Sequence, residues 1–162
     1  AMPMVCPSPS STVDEARRLS RGLDPAPVEL GLESALRGLV DRTRATGPEC
    51  SFVFEGDEGP LGREVTLHLY HIAQEAVTNA LRHGDPSRID VRLITRPGSV
   101  ALDVRDDGSG LPGADAHEGL GLRTMAKRAE LLEARLLVRP GPEGGTVVSC
   151  VVPRDRQPGV PG

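Results

Sequence analysis

Residues 69–83 read LYHIAQEAVTNALRH and form the centre of the strongest helix signal in the chain, which runs from Arg63 to His83. Gly84 and Pro86 end that signal. At about 100° per residue, the small and aliphatic side chains fall on one arc of the helix and the polar ones on the other. The apolar arc is predicted to hold Ala73, Ala76, Val77, Ala80 and Leu81, and the polar stripe Glu75, Asn79, Arg82 and His83.

Glu75 and Asn79 are one helical turn apart, so a carboxylate and a carboxamide oxygen can reach the same point. Such oxygens can bind a hard cation or orient a water molecule. The alternative is an ordinary solvated helix face, since most helices of globular proteins have a polar side. The pair alone leaves both interpretations open.

The flanking sequence predicts an α/β fold, a two-layer sandwich in which helices cover one face of a mixed, mostly antiparallel sheet. Helical spacing is present at 13–23 and 30–47, and again where Leu122, Met125, Ala126, Ala129 and Leu132 share one face. Alternating or apolar runs predict strands at 51–55, 89–93, 100–104, 135–138 and 146–152.

Composition excludes several classes of protein. With 19 Lys and Arg against 23 Asp and Glu, no Trp, one Tyr and two Phe, the chain lacks the basic surface and stacking aromatics of a nucleic-acid binder. Its three cysteines are far apart and match no zinc spacing, which indicates a reduced, cytosolic setting. No apolar run approaches the roughly 20 residues that span a bilayer. The Pro-rich ends, 1–12 and 154–162, are predicted to be disordered.

Two glycine motifs follow the predicted hairpin. Asp106-Asp107-Gly108-Ser109-Gly110 comes directly after an apolar strand, where Asp106 can accept a hydrogen bond from an exocyclic amine and the glycines let backbone approach a ligand. Gly119-Leu120-Gly121-Leu122 opens a helix, where free backbone N–H groups favour phosphate. Taken singly, the first is also compatible with an ordinary Asp-Gly turn and the second with a glycine hinge.

The order of these motifs resembles the GHKL ATPase superfamily of gyrase, histidine kinases and mismatch-repair ATPases. Within it, the chain is most similar to the catalytic, ATP-binding domain of bacterial sensor histidine kinases with a short ATP lid, the subgroup that pairs with LuxR/NarL-type response regulators. Residues 69–83 match the N box, 106–110 the G1 box and 119–122 the G2 box, while 21–25 and 30–36 resemble the connector from the dimerisation helices. The resemblance covers about Val13 to Pro153 and implies the Bergerat fold.

The resemblance also implies ATP and Mg²⁺ as ligands. Asn79 would coordinate the Mg²⁺ that bridges the ATP phosphates, and Glu75 would be its polar partner, orienting a water or assisting proton transfer. Asp106 would take the adenine amino group. The remaining nucleotide-binding positions that the motifs imply are Arg82, His83, Gly108, Gly110, Gly119, Leu120, Gly121, Leu122 and Thr146. Leu111 to Glu118 would be the lid.

Two of these positions keep an alternative interpretation. His83 is also compatible with a helix-end cap, and Thr146 with an ordinary strand threonine. Gly84 departs from the family pattern, which has Ala there, and we expect it to end the helix early.

A domain organisation and a function follow from the resemblance. Residues 13–28 would be the end of a dimerisation helix and a connector, and 29–153 the ATP-binding catalytic domain. The histidines of the chain, His68, His71, His83 and His117, all lie within the latter range. The expected function is transfer of the ATP γ-phosphoryl group to a histidine on a dimerisation domain absent from this chain, in two-component signalling with a DNA-binding response regulator. We expect a cytoplasmic monomer whose parent is a homodimer, with membrane attachment of the parent left open.

Two rival functions stand beside this one. An anti-sigma-factor serine kinase of the same superfamily would need no connector before Leu36, and it would dimerise through this domain. A nucleotide-binding interaction module without phosphotransfer would be expected to have degraded motifs, whereas Glu75, Asn79, Asp106 and both glycine pairs are present.

Overall fold

The computed structural model of the protein describes residues 29–56, 61–110 and 120–154. Several predicted features lie outside the described residues: the helix at 13–23 with its connector, the lid at 111–118, Gly119, and almost all of both tails. For Leu120 the backbone is described and the side chain is not.

Three helices and five strands make up the described part of the chain. The helices are α1 (Leu32–Arg44), α2 (Arg63–Asn79) and α3 (Leu120–Leu131), and a π-helical turn at Ala80–Gly84 continues α2. The strands are β1 (Glu49–Glu55), β2 (Arg88–Arg96), β3 (Ser99–Asp106), β4 (Arg135–Pro140) and β5 (Thr146–Pro153).

The strands form one mixed sheet in the order β1-β2-β3-β5-β4. Only β1 and β2 pair in parallel, and α2 is the crossover helix that such a connection requires. The other neighbours pair antiparallel, and the helices pack against one face of the sheet. The predicted two-layer α/β fold with a mixed, mostly antiparallel sheet is therefore confirmed.

The hydrophobic core lies between the sheet and the helices, with α2 at its centre. Each buried aliphatic side chain of Val or Leu size stabilises the fold by about 1.5–3 kcal/mol. The strands bury Ile89, Val91, Leu93, Val100, Leu102, Val104, Val148, Cys150 and Val152, and α2 buries Leu69, Tyr70, Ile72, Ala73, Ala76 and Val77. Burial raises the pKa of the free Cys50 and Cys150 thiols to about 11, so both stay protonated and unreactive at neutral pH.

Tyr70 joins α2 to α1. Its ring is only 1% exposed, and its hydroxyl accepts a hydrogen bond of 2.7 Å from Arg42 of α1. The neighbouring His71 ring packs edge-on against it, with 5.7 Å between the centroids. A tyrosine that satisfies its hydroxyl in this way can be buried without leaving an unpaired polar atom.

The predicted helix to His83 is wrong at its last turn. The α-helix ends at Asn79 and gives way to the π turn, which widens the backbone and rotates the side chains that follow it. Leu81, which we placed on the apolar arc, is therefore 37% exposed. On α3, Ala126 is exposed too, because Met125 and Ala129 occupy the buried stripe and Ala126 lies beyond its margin.

Hydrogen bonds join the π turn to the loop after β3. The Ser109 amide donates to the Gly84 carbonyl at 2.8 Å, and the Ser109 hydroxyl donates to the His83 carbonyl at 3.0 Å. Gly108 packs so closely on this turn that a Cβ added to it would overlap the Gly84 carbonyl oxygen. The helix end and the loop therefore form one rigid unit.

A second tie holds the same loop to the start of β2. The Asp107 carboxylate accepts hydrogen bonds from the Ser87 amide at 2.9 Å, the Ser87 hydroxyl at 2.6 Å and the Arg88 amide at 2.9 Å. These donors, the Ser87 side chain first, lower the pKa of Asp107. The folded chain therefore binds a proton at Asp107 more weakly than the unfolded chain does. The contribution of Asp107 to stability is lost as the pH falls through its lowered pKa.

The contact between Gly108 and Gly84 predicts opposite effects for the same substitution at the two positions. Gly108→Ala must displace backbone, so the free energy of unfolding should fall by about 1–3 kcal/mol. Gly84→Ala should be neutral or stabilising by up to about 1 kcal/mol, because the nearest atom to an added Cβ would be Asp106 Oδ1, at 3.4 Å. Urea denaturation followed by circular dichroism measures both, and equal destabilisation by the two variants would contradict the predicted packing.

Candidate functional site

The site is built around the last residue of β3, at one end of the sheet. Asp106 is opposite Ile89 near the start of β2, and its neighbour Arg105 is opposite Val147 near the start of β5. Its side chain points to the core face and is only 7% exposed. The motif Asp106–Gly110 thus begins where β3 leaves the sheet, between the sheet and the helix layer.

The Asp106 carboxylate is held by backbone amides. Its Oδ1 accepts a hydrogen bond of 2.9 Å from Gly108, and the Thr146 amide donates to the same carboxylate. Burial raises the pKa of Asp106, and the two amide donors oppose that rise. A buried carboxylate that keeps an acceptor oxygen is suited to bind a ligand that brings its own donor.

Glycines make room for this arrangement. A Cβ on Gly145, whose φ is +75°, would overlap the Asp106 carbonyl oxygen, and one on Gly110 would lie 3.3 Å from the Gly145 carbonyl oxygen. The loop before β5 can therefore approach the end of β3 only because Gly145 has no side chain. Thr146 is positioned by this approach.

Glu75 and Asn79 meet the start of α3. Both side chains are partly buried, so they do not form the freely solvated face that was the alternative interpretation. Gly121 lies directly against them: a Cβ added to it would overlap Glu75 Oε1 and lie 3.0 Å from Asn79 Oδ1. The first turn of α3 that the structure describes is therefore next to a carboxylate and a carboxamide.

The other predicted site residues lie on the π turn, on α3 or outside the described residues. Arg82 and His83 lie on the π turn with exposed side chains, and the His83 carbonyl bonds to Ser109. Leu122 is partly buried on α3. Gly119 is outside the described residues.

Sequence reasoning missed Gly84 as a packing partner of Gly108 and assigned no role to Gly145 or Ser109. The only signals for these roles in the sequence were Gly84, where the family pattern has Ala, and the Gly144-Gly145 pair before Thr146.

The donor set fits a phosphate-bound cation better than a cation held by protein alone. Within the described residues no three His, Cys, Asp or Glu side chains cluster as metal ligands. Mg²⁺ is typically bound by one or two protein oxygens together with substrate phosphates and water. Glu75 and Asn79 can supply such oxygens, and the adjacent helix start favours the phosphates.

Among the helices that the structure describes, none is both long enough and apolar enough to cross a membrane.

Comparison with known proteins identifies the family. The profile described as "Histidine kinase-, DNA gyrase B-, and HSP90-like ATPase" matches residues 64–156. The chain is 33% identical over 151 residues to "Sensor histidine kinase MctS" of Rhizobium johnstonii, covering 90% of this chain and 32% of that protein. It is 35% identical over 121 residues to "Nitrate/nitrite sensor protein NarQ" of Escherichia coli, covering 73% and 21%. The chain thus spans a third or less of these two relatives.

Solved structures share the fold. The histidine kinase domain of the Erythrobacter litoralis EL346 blue-light activated histidine kinase aligns with a TM-score of 0.63 at 23% identity, covering 75% of this chain and 60% of that one. The ATP binding domain of PrrB from Mycobacterium tuberculosis aligns with a TM-score of 0.55 at 22% identity, covering 72% and 91%.

The matched range contains all of α2 except its first residue, together with the loop after β3, the start of α3 and the start of β5. These are the segments that form the candidate site. That range is more than half of the chain. The protein therefore belongs to the family of histidine kinase-, DNA gyrase B- and HSP90-like ATPases.

Proposed function

We propose that the chain is the ATP-binding kinase domain of a sensor histidine kinase, with residues 29–153 as the catalytic domain and 13–28 as the connector to a dimerisation helix. The γ-phosphoryl group of ATP would pass to a histidine on the dimerisation domain, and from there to a DNA-binding response regulator. The names of two relatives, one a sensor histidine kinase and the other a nitrate/nitrite sensor protein, support this proposal.

The observation that carries the proposal is the contact of Gly121 with Glu75 and Asn79. It brings the backbone that would bind phosphate and the side chains that would bind the cation to one point, although they are more than 40 residues apart in the chain. A solvated helix face would need neither the missing side chain at Gly121 nor the partial burial of Glu75 and Asn79.

At the adenine end, Asp106 would accept a hydrogen bond from the exocyclic amine of the base. The amides of Gly108 and Thr146 fix the carboxylate before a ligand arrives, so little side-chain entropy is lost on binding. Gly108 and Gly110 would let the base approach the backbone, and Thr146 would support that side of the site.

At the phosphate end, Asn79 would supply an oxygen to Mg²⁺ and Glu75 would orient a water molecule or accept a proton. Mg²⁺, when bound, would neutralise phosphate charge, which is much of what catalysis of phosphoryl transfer requires. The amides at Gly119–Leu122 would bind phosphate oxygens, and the exposed Arg82 would add positive charge nearby, with His83 beside it on the π turn.

The adenine contact predicts a loss of affinity in Asp106→Asn. In this variant the Gly108 amide would still donate to the carboxamide oxygen, so the NH₂ group would face the amine of the base. Two donors would then oppose each other where the wild type has a donor and an acceptor. ATP and adenosine should both bind about tenfold more weakly or worse, as expected for a lost charge-assisted hydrogen bond. Titration calorimetry measures this, with Asp103→Asn as the control, because Asp103 is on the same strand but bonds to Ser149. Unchanged affinity in Asp106→Asn would contradict the assignment.

The phosphate contact predicts that Gly121→Ala separates stability from binding. The added Cβ pushes the ends of Glu75 and Asn79 aside, so Mg²⁺ should no longer strengthen ATP binding. Stability should be kept or rise by up to about 1 kcal/mol, since Ala favours a helix over Gly. Gly38→Ala on α1 is the matched control, because an added Cβ there meets Arg42 Nη1 at 3.2 Å, the end of a flexible side chain. A Mg²⁺ effect that survives Gly121→Ala would count against the site.

Phosphotransfer is tested in trans. With radiolabelled ATP and a dimerisation domain from a sensor kinase of this family, label should appear on that domain in an acid-labile form, as expected for phosphohistidine. An acid-stable label on a partner would favour the serine kinase, and intact ATP binding without any transfer would favour the interaction module.

A further inference from the structure

A polar contact between α2 and α3 lies outside the nucleotide site. Arg128 of α3 reaches across to α2, where its Nη1 lies 3.0 Å from His68 Nδ1. Arg128 is partly buried, and desolvation lowers its pKa. One turn further along α2, His71 is 7% exposed and its Nδ1 lies 3.4 Å from Gln74 Oε1. An arginine placed here needs an acceptor, because its guanidinium has donors only.

This contact is in register with the one that forms the site. Gly121 lies against Glu75, and Arg128 against His68, so the two contacts are seven residues apart on both helices. Seven residues are about two turns, or roughly 10.5 Å along each axis. Between them Met125 is fully buried. The two helices therefore run antiparallel and touch through polar groups at both ends of an apolar contact.

We propose that Arg128 is a positioning residue for the phosphate end of the nucleotide site: its contact with His68 sets the position of α3 on α2 and so holds Gly121 against Glu75 and Asn79. The inference rests on the proposed nucleotide site. It assigns Arg128 no contact with the ligand. Without the contact, α3 would keep its apolar packing but could shift or rotate at its first turn, and the adenine contact at Asp106 would be untouched.

The contact requires a neutral His68. Since Arg128 cannot accept a hydrogen bond, His68 Nδ1 must be the acceptor, with its proton on Nε2. Burial and then the charge of Arg128 lower the pKa of His68, while Glu64 opposes them. The pKa of His71 is lowered by burial first and by Arg128 next.

Other elements around this contact bring few charges to it. The charge of Glu75 favours the ionised form of Arg128. From α1, Arg42 binds the Tyr70 hydroxyl, and the buried side chains of β3 are apolar until Asp106 at its end. A histidine with a lowered pKa contributes fully above the ordinary histidine pKa of about 6.5. The contact is therefore lost as the pH falls through the lowered pKa of His68.

The first test compares two ligands on the whole chain. Arg128→Met removes the guanidinium but keeps an apolar stem of similar length. It should weaken Mg²⁺-ATP binding by about tenfold, as expected when a charge-assisted hydrogen bond that holds the site is lost, and leave adenosine affinity unchanged. Arg128→Lys should restore part of the ATP affinity. Lys127→Met is the control, because Lys127 is exposed and its nearest partner is Glu130 at 3.8 Å.

The outcomes separate the inference from the proposed function. If the wild type binds neither ligand, the nucleotide site itself is wrong. If the wild type binds both and Arg128→Met weakens both equally, or neither, the positioning role is overturned. Circular dichroism and adenosine binding together show whether the variant has folded.

The second test uses pH and does not depend on Arg128 variants. His68→Gln keeps an acceptor for Arg128 but cannot be protonated. Between pH 8 and the lowest pH at which both proteins stay folded, the Mg²⁺-ATP affinity of the wild type should fall more steeply than that of His68→Gln, because only the wild type can protonate the acceptor of Arg128. Ionisation of ATP and Asp106 affects both proteins alike. Parallel pH profiles would overturn the role assigned to the His68–Arg128 contact.

Discussion

The structure depends on keeping a carboxylate buried. Asp106 ends a core strand, and an ionised group in that position needs donors close by. Gly108 and Thr146 supply them from two loops, and those loops can converge only because Gly108 and Gly145 have no Cβ to collide with neighbouring backbone. The loop after β3 then fastens the π turn through Ser109. One electrostatic requirement thus fixes the geometry of three chain segments.

Helix α2 provides the rest of the candidate site, and its neighbouring faces contribute to the core and to the site. Its aliphatic side chains hold the layers together, while Glu75 and Asn79 line the gap beside α3. Because the same helix serves the core and the site, the position of the polar pair is set by the packing of the whole domain. The site therefore needs few contacts of its own to be rigid, which favours binding without reorganisation.

The sequence was sufficient for the features that local patterns encode. The period of α2 and the alternation in β2 and β3 predicted the layers and the sheet, while the site residues were inferred from the family resemblance that the ordered motifs carry. The sequence did not predict the features that depend on contacts between residues far apart in the chain. The π turn depends on Ser109, which is 25 residues beyond Gly84, and the partner of His68 is 60 residues away. Leu81 was placed on the wrong face because of the π turn, since a uniform α-helical period does not describe a wider turn.

The burial of Tyr70 has an optical consequence. The chain has no tryptophan and this one tyrosine, so apart from the weak emission of its two phenylalanines, the ultraviolet emission of the protein comes from a single ring between α1 and α2. That ring packs against His71 and holds Arg42 through its hydroxyl, which makes its emission sensitive to the charge on the histidine and to any parting of the two helices. The protein therefore carries a built-in fluorophore that reports on the interior of α2 without any label.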